Sequence, residues 1–329
     1  MASNEARVLH KRSVQGNASA GKDYIHLLWP NQLKQQLRRQ HNSSDPALLK
    51  KQSVRRLAES SRASPAVRLP PNPLQQYVTH STHYYSQKKS SEEYHSDHLE
   101  ATFEGFRAMA RFKAIPTPTL EAKAVVLPPT TASKTLVLDL DETLVHCCEG
   151  SEAADYFIPV TLPKGGRVLA GLRLRPYLIE CLTAAKKWFE VVVFTASHQC
   201  YADAVLNFID PEGCLVDFRL YRDSCIPVSG ANIKDLRILG RNLKDVVIVD
   251  NLVQSFANQL DNGVPIISWY DDREDKELFK LIKYLNLLAH VEDVREVNCR
   301  MFKLERFYDD YLRSARALKS PVLSPSAFR

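Results

Sequence analysis

The sequence predicts an α/β fold in which a doubly wound parallel sheet is flanked by helices. From residue 134 onward, strand-like and helix-like segments alternate along the chain. Several strand-like segments, such as residues 191–194 and 246–249, are apolar on both faces, as a strand buried between two helical layers must be. Polar residues follow these buried strands, so a functional site is expected at the carboxyl edge of the sheet.

The predicted elements follow in chain order. Strands are expected at residues 136–140, 156–162, 168–174, 191–194, 218–221, 246–249 and 265–268. Helices are expected at 176–187, with Pro176 in the first turn, and at 200–209, 275–288 and 294–317. The turn Pro163-Lys164-Gly165-Gly166 joins two alternating strands, which predicts a small β-hairpin inserted into the α/β pattern.

Residues 1–130 differ from the rest of the chain in composition and charge. They hold ten of the 18 prolines, with clusters of Ser, Gln, Asn and His. They carry 19 Lys and Arg against 10 Asp and Glu, a net charge of +9, whereas the remainder has 25 against 28, a net charge of −3. We therefore predict a basic, mostly disordered region at 1–130, a folded domain at 131–292, a C-terminal helix at 293–317 and a flexible tail at 318–329.

Bulk properties limit the classes of protein to which the chain can belong. No run of about 18 apolar residues occurs, so no membrane span is expected. The positive charge belongs to the front segment, so the fold is not expected to read nucleic acid directly. The seven cysteines form no C-x-x-C pair and the start of the chain lacks an apolar signal core, which favours the nucleus or the cytoplasm. No oligomerisation signal is visible, and a monomer is expected.

Asp139 and Asp141 are the most informative residues of the chain. The apolar run Leu136-Val137-Leu138 ends in these two carboxylates, and residues two apart on a strand share a face. Two carboxylates this close repel each other unless a cation lies between them or their pKa values are pushed apart. This arrangement suits a nucleophile and a general acid/base beside Mg²⁺.

Three further polar groups lie at or near the ends of apolar runs. Thr195 follows the strand at 191–194, Lys234 follows Asn232-Ile233, and Asp250-Asn251 follow the strand at 246–249. Singly, each has an ordinary explanation as a turn residue, a solvated charge or a helix cap. Together they supply a hydroxyl, a cation and oxygen ligands for Mg²⁺, which predicts a phosphoryl-transfer site.

These motifs resemble those of the FCP/SCP-type small C-terminal-domain phosphatases, a branch of the haloacid dehalogenase (HAD) superfamily. The resemblance covers about residues 132–292, and residues 258–266 are similar to the SCP-like 2 subgroup. The motifs that carry it are Asp139-Leu140-Asp141-Glu142-Thr143-Leu144-Val145-His146, Phe194-Thr195-Ala196-Ser197, Tyr201-Ala202-Asp203, Leu220-Tyr221-Arg222-Asp223-Ser224-Cys225, Asn232-Ile233-Lys234-Asp235-Leu236, Leu239-Gly240-Arg241, Val249-Asp250-Asn251 and Ser268-Trp269-Tyr270-Asp271.

The resemblance implies a catalytic role for each matching residue. Asp139 would attack phosphorus and form an aspartyl-phosphate. Asp141 would protonate the leaving serine or threonine oxygen and then activate water. Thr195 and Lys234 would hold phosphoryl oxygens, and Arg222 matches a position near the substrate phosphate. The implied activity is that of a phosphoprotein phosphatase acting on phosphoserine and phosphothreonine in proteins.

The resemblance also implies a Mg²⁺ cofactor. Its ligands would be Asp139, the backbone carbonyl of Asp141 and Asn251, with Asp250 close by or acting through water. The Arg175-Pro176 pair matches the family's position before a helix, and we expect Arg175 to be structural rather than catalytic.

The substrate pocket departs from the family pattern. Family members that act on the RNA polymerase II tail carry an apolar pocket for a substrate proline. In this chain the two hairpin positions of that pocket, Val160 and Leu162, stay apolar, but the other two are Glu149 and His198. A charge and an imidazole suit a proline contact poorly, so the polymerase tail is not expected to be the preferred substrate.

Two alternatives to a protein phosphatase stay open at this stage. One is a catalytically weak adaptor that uses the HAD fold to bind phosphoproteins, which loss of Asp139 or Asp141 would have indicated. The other is a HAD phosphatase of a small metabolite. Large-cap members of that kind would show about 60 or more extra residues between the motifs, on domain-size grounds.

Overall fold

The computed structural model describes residues 91–148 and 153–317. The strands are β1 Lys134–Leu138, β2 Val145–Cys148, β3 Tyr156–Thr161, β4 Arg167–Leu174, β5 Phe189–Phe194, β6 Phe218–Leu220, β7 Ile226–Val228, β8 Ala231–Ile233, β9 Val246–Asp250 and β10 Gly263–Pro265. The α-helices are α1 Ser91–Met109, α2 Thr117–Glu121, α3 Leu178–Ala185, α4 Gln199–Ile209, α5 Glu277–Ala289, α6 Val294–Phe302 and α7 Leu304–Ala317. No helix in these two ranges is both long and apolar enough to cross a lipid bilayer.

The central sheet has five strands in the order β10-β9-β1-β5-β6, and every neighbouring pair is parallel. Every residue of β1, β5 and β9 is buried, as their two-sided apolar sequences require. The predicted α/β class with a parallel sheet is therefore confirmed. Because β1 lies between β5 and β9, the carboxyl ends of these three strands meet at one place on the edge of the sheet.

A second sheet is antiparallel, with the order β2-β4-β3. β3 and β4 are the predicted hairpin, closed by the bond from the Leu162 amide to the Gly166 carbonyl at 3.1 Å. β2 was not predicted, and it makes the insertion a three-stranded sheet. Its residues Val-His-Cys-Cys are all buried, so they show none of the alternation that marks a half-exposed strand.

Helices α1 and α2 precede the predicted domain start at residue 131, so ordered structure reaches back at least to residue 91, whereas the domain limits 131–292 stay a prediction. Helix α1 buries Leu99, Phe106 and Met109, and the Phe106 ring centroid lies 5.5 Å from that of Tyr308 and 6.1 Å from that of Tyr311 in α7. This apolar stripe was hidden because the composition of residues 1–130 was averaged as a whole. Residues 1–90 lie outside the described ranges, so disorder there stays a prediction.

The single helix predicted at 293–317 is two helices. Lys303 separates α6 from α7 in the left-handed conformation, with a φ of 55°. Such a break usually has glycine or asparagine at that position, and a lysine gives no warning of it. The predicted tail at 318–329 lies outside the described ranges. Pro176 is not in a helix either, because α3 begins at Leu178 after Tyr177, which has a φ of 64°.

Candidate active site

The predicted site residues converge where the parallel strands end. Asp139 follows β1 directly, Thr195 follows β5, and Asp250 is the last residue of β9. Lys234 follows β8, which pairs with β7 outside the central sheet. One small cleft is lined by all six of the main predicted residues, together with Glu142, Ala196, Leu252 and Ser255; the six are Asp139, Asp141, Thr195, Lys234, Asp250 and Asn251. The structure thus brings the six predicted residues together in one cleft, while their roles stay a prediction.

Lys234 forms ion pairs with two carboxylates. Its Nζ donates to Asp139 Oδ1 and to Asp250 Oδ2, the latter at 2.7 Å, and its side chain is 2% exposed. Burial alone would lower the pKa of Lys234, but the charges of Asp139 and Asp250 raise it above its usual value. Asp139 Oδ2 accepts a hydrogen bond from Thr143 Oγ1 at 3.0 Å. The nucleophile candidate is therefore in direct contact with the ammonium group of Lys234 and the hydroxyl of Thr143.

Three hydroxyl groups donate hydrogen bonds to Asp141. Its Oδ2 accepts from Ser197 Oγ at 2.7 Å and from Thr195 Oγ1 at 3.3 Å, and its Oδ1 accepts from Tyr201 OH at 2.9 Å. Burial, with the charges of Glu142 and Asp139, raises the pKa of Asp141 to about 7. A carboxyl group with this pKa can give and take a proton near neutral pH.

Ser197 and Tyr201 were not predicted as site residues. Tyr201 lies in the first turn of α4, and its hydroxyl reaches Asp141 only because that helix starts right after the β5 loop. A signal was available for Ser197, because it stands two residues after Thr195, as Asp141 stands two after Asp139. Thr195 Oγ1 in turn accepts from the Ser197 amide at 2.9 Å, so the loop is closed on itself.

The loop after β1 is fixed by backbone bonds. Glu142 has a φ of 56°, and its amide donates to the Val145 carbonyl at 2.7 Å. The Glu142 carbonyl accepts from the Trp269 amide at 2.8 Å. Arg175 donates to the Thr143 carbonyl at 3.0 Å and makes two bonds of 2.9 Å to Asp275. These contacts fit the structural role expected of Arg175.

Arg222 lies against the loop that carries Thr195. Its Nε donates to the Ala196 carbonyl at 2.6 Å, and its amide donates to the Ser197 carbonyl at 3.0 Å. The structure therefore shows Arg222 bracing this loop. A phosphate contact by Arg222 stays a prediction.

The donor set of the cleft fits Mg²⁺, which prefers hard oxygen ligands. Asn251 Nδ2 donates to Ser268 Oγ at 2.9 Å, and this bond fixes the orientation of the amide. Burial raises the pKa of Asp250 to about 6. The charge of Lys234 opposes this shift, and the charge of Asp139 adds to it. His, Cys, Asp and Glu side chains alone form no three-ligand metal cluster in the described residues. A Mg²⁺ site here thus needs the Asn251 amide oxygen and the Asp141 backbone carbonyl beside the carboxylates.

The structure describes three of the four predicted substrate-pocket residues. Val160 is 0% exposed and packs in the core, which does not fit contact with a substrate. Leu162 and His198 are half-buried, and His198 caps α4 by accepting from the Cys200 amide at 3.2 Å. Glu149 lies outside the described residues.

Comparison with known proteins identifies a matching family model and several relatives of the chain. The family model described as "NLI interacting factor-like phosphatase" matches residues 134–295. The Dictyostelium discoideum protein named "CTD small phosphatase-like protein 2" is 45% identical over 203 residues, which are 60% of this chain and 35% of that protein. The mouse "CTD small phosphatase-like protein" is 40% identical over 187 residues, which are 55% of this chain and 67% of that protein. The chain belongs to the NLI interacting factor-like phosphatase family.

The family segment and the chain do not have the same extent. All six main cleft residues lie within 134–295, whereas α1 and α7 lie outside it. The chain spans 35%, 61% and 53% of the length of the first three relatives. The solved structure of the fission yeast RNA polymerase II CTD phosphatase Fcp1 aligns with 56% of this chain and 66% of that one, at 17% identity and a TM-score of 0.36, which is too low to support an inference. Membership of the SCP-like 2 subgroup stays a prediction.

Proposed function

We propose that this chain is a Mg²⁺-dependent protein serine/threonine phosphatase that works through an aspartyl-phosphate on Asp139. The observation that supports this proposal is that two neighbouring carboxyl groups lie in different environments. Asp139 is paired with the Lys234 ammonium, whereas Asp141 is buried near Glu142 and Asp139, which favours its protonated form even though Ser197 and Tyr201 donate to it. Two such environments separate a nucleophile from a general acid/base.

In the first step, a carboxylate oxygen of Asp139 attacks phosphorus. The bond from phosphorus to the serine or threonine oxygen breaks, and Asp141 gives its proton to that leaving oxygen. Lys234 and Thr195 lie at the same cleft and hold the phosphoryl oxygens as charge develops on them.

In the second step, Asp141 acts as a base. It takes a proton from a water molecule whose oxygen attacks phosphorus, and the bond from phosphorus to Asp139 breaks. Inorganic phosphate leaves, and both aspartates return to their starting states. Ser197 and Tyr201 keep the Asp141 carboxyl in the same orientation through both proton transfers.

Asp139, the Asp141 carbonyl and Asn251, with Asp250 close by, would hold the metal. Mg²⁺ bound there supplies positive charge that neutralises the phosphoryl oxygens. We assign Arg222 a role near the substrate phosphate through the Thr195 loop that it braces.

The proposed substrates are phosphoserine and phosphothreonine in proteins. A human relative that is 40% identical over 163 residues is named a small phosphatase of the RNA polymerase II carboxy-terminal domain. We do not extend that substrate to this chain, because His198 and Glu149 replace apolar pocket residues of the family pattern. We propose a monomer in the nucleus or the cytoplasm; a fission yeast relative, 36% identical over 185 residues, is named "Nuclear envelope morphology protein 1".

Hydrolysis of p-nitrophenyl phosphate by the full chain tests the proposal. We expect turnover with Mg²⁺, loss of turnover in EDTA, and recovery when Mg²⁺ is added in excess. A well-folded protein that is inactive with Mg²⁺ would refute the enzyme and favour a phosphoprotein-binding adaptor. Turnover of sugar phosphates far above that of phosphopeptides would favour the small-metabolite alternative.

Asp141→Asn is expected to lower turnover by about 10² to 10⁴-fold, the usual contribution of a general acid/base. With p-nitrophenyl phosphate the leaving group needs no proton, so only the second step depends on Asp141 and a labelled phosphoryl group should accumulate on the variant protein. Acid quench after mixing with ³²P-labelled p-nitrophenyl phosphate measures this accumulation, and Asp139→Asn serves as the unlabelled control. Equal labelling of the two variants would contradict the assigned roles.

A further inference from the structure

Helix α1 lies outside the family segment but contacts the active-site region. It packs against a short turn, Val253–Phe256, which follows the metal-ligand candidates Asp250 and Asn251 along the chain. Leu252 and Ser255, on either side of Val253 and Gln254, line the cleft itself. A helix from the N-terminal part of the chain is thus one layer away from the site.

The contact between α1 and this turn is close because of Gly105. A Cβ added at Gly105 would lie 2.5 Å from Val253 Cγ1 and 2.5 Å from Gln254 Oε1. The Gln254 side chain has a flexible tip, but Val253 is buried in the core and cannot swing away. Glycine costs a helix interior stability relative to alanine, so its presence inside α1 fits a need for close approach.

The turn transmits its position to the proposed catalytic groups through short hydrogen bonds. The Ser255 carbonyl accepts from the Lys234 amide at 2.7 Å. The Ser255 amide donates to the Leu252 carbonyl at 2.9 Å, and the Leu252 amide donates to Asp250 Oδ1 at 2.8 Å. The backbone of Lys234 and one carboxylate oxygen of Asp250 are therefore both set by the turn against which α1 packs.

Helix α1 is itself held from the other end of the chain. Phe106, the neighbour of Gly105, is 1% exposed and packs against Tyr308 and Tyr311 of α7. We call α1 and α7 together the flanking clamp. Both helices of the flanking clamp lie outside residues 134–295, so the family segment alone does not include them.

We propose that α1 is a positioning element for the active site, and that its docking against Val253–Phe256 sets Lys234 and Asp250 in their working positions. This inference rests on the proposed function, because it assigns α1 control over the phosphate-binding lysine. Gly105 is then a positioning residue that touches neither substrate nor metal. Anything that lifts α1, at either end of the flanking clamp, weakens phosphate binding.

Gly105→Leu in the full chain tests the inference, with Glu100→Leu on the exposed side of α1 as the matched control. Hydrogen–deuterium exchange gives a readout that does not need activity. In Gly105→Leu we expect faster exchange in peptides covering 233–235 and 252–257, because the Lys234 amide loses its fixed partner. Glu100→Leu should leave both peptides unchanged. Faster exchange confined to residues 91–109 would overturn the inference.

The inhibition constant of inorganic phosphate against p-nitrophenyl phosphate is the kinetic readout. It does not depend on the fraction of active protein, so partial unfolding cannot mimic the effect. We expect it to rise about tenfold in Gly105→Leu, since a displaced binding group costs one to two orders of magnitude. Gly105→Ala should also raise the inhibition constant, but by less. This variant replaces Gly105→Leu in the test if the leucine variant does not fold.

The two proposals fail in different ways. An inactive wild-type protein refutes the phosphatase, while the exchange at 233–235 still decides whether α1 positions Lys234. An active Gly105→Leu variant with the wild-type inhibition constant refutes the positioning role and leaves the phosphatase intact.

Discussion

Asp139→Asn is expected to reduce hydrolysis of p-nitrophenyl phosphate by about 10³-fold or more, since losing a nucleophile removes the whole covalent route. The amide has the shape of the carboxylate but cannot attack phosphorus. The substitution also removes one of the two carboxylates that pair with Lys234 and leaves Asp250 as the other. The measurement is the initial rate at saturating Mg²⁺, with circular dichroism to show that the variant is folded.

Asp245→Asn is the matched control for this substitution. Asp245 pairs with Lys134 at 3.0 Å, at the amino end of β1 and β9, so the variant removes an aspartate–lysine pair from the opposite edge of the same sheet. Its activity should stay within about twofold of wild type, as for a site remote from the chemistry. Residual turnover in Asp139→Asn equal to that of Asp245→Asn would show that Asp139 is not the nucleophile.

Arg175→Met is expected to cost about 3–5 kcal/mol of unfolding free energy, the usual loss when one partner of a buried ion pair is removed. Arg175 is fully enclosed, and its guanidinium is bonded to both carboxylate oxygens of Asp275 and to the Thr143 carbonyl. Methionine fills much of the space but leaves Asp275 and the carbonyl without this donor. Urea unfolding followed by tryptophan fluorescence measures the change.

The control for Arg175→Met is Arg273→Met. Arg273 also pairs with an aspartate, Asp155, but its side chain is 61% exposed. Its removal should change the unfolding free energy by less than about 1 kcal/mol, because exposed ion pairs contribute little. Equal losses of unfolding free energy in the two variants would show that burial does not determine how much the Arg175–Asp275 pair contributes to stability.

The part of the fold that the sequence predicted is the part in which each element carries its own signal. β1, β5 and β9 are apolar on both faces, and the polar residues at their ends mark where they meet. Asp139, Thr195 and Asp250 could be assigned to one cleft because parallel neighbours end at the same edge. For these three residues, a position at the end of a buried parallel strand was enough to predict a location at the carboxyl edge of the sheet.

The rest depends on contacts between distant segments. Tyr201 reaches Asp141 only through the placement of α4, and α1 is stable because Tyr308 and Tyr311 cover Phe106. Lys303 takes a left-handed conformation between α6 and α7, which its residue type does not signal. Val160 follows the family pattern of a pocket residue, yet its alternation on β3 turns it into the core. Local patterns do not contain this information.

The ion pairs of Lys234 imply that folding does not depend on the proposed Mg²⁺. In many small metal-binding domains, opposed ligands repel one another until the ion arrives, so binding and folding are one equilibrium. Here Asp139 and Asp250 already share the ammonium of Lys234, which no chelator can extract. Because the cleft carries its own counter-ion, we expect that the proposed Mg²⁺ can be removed and restored without unfolding of the domain.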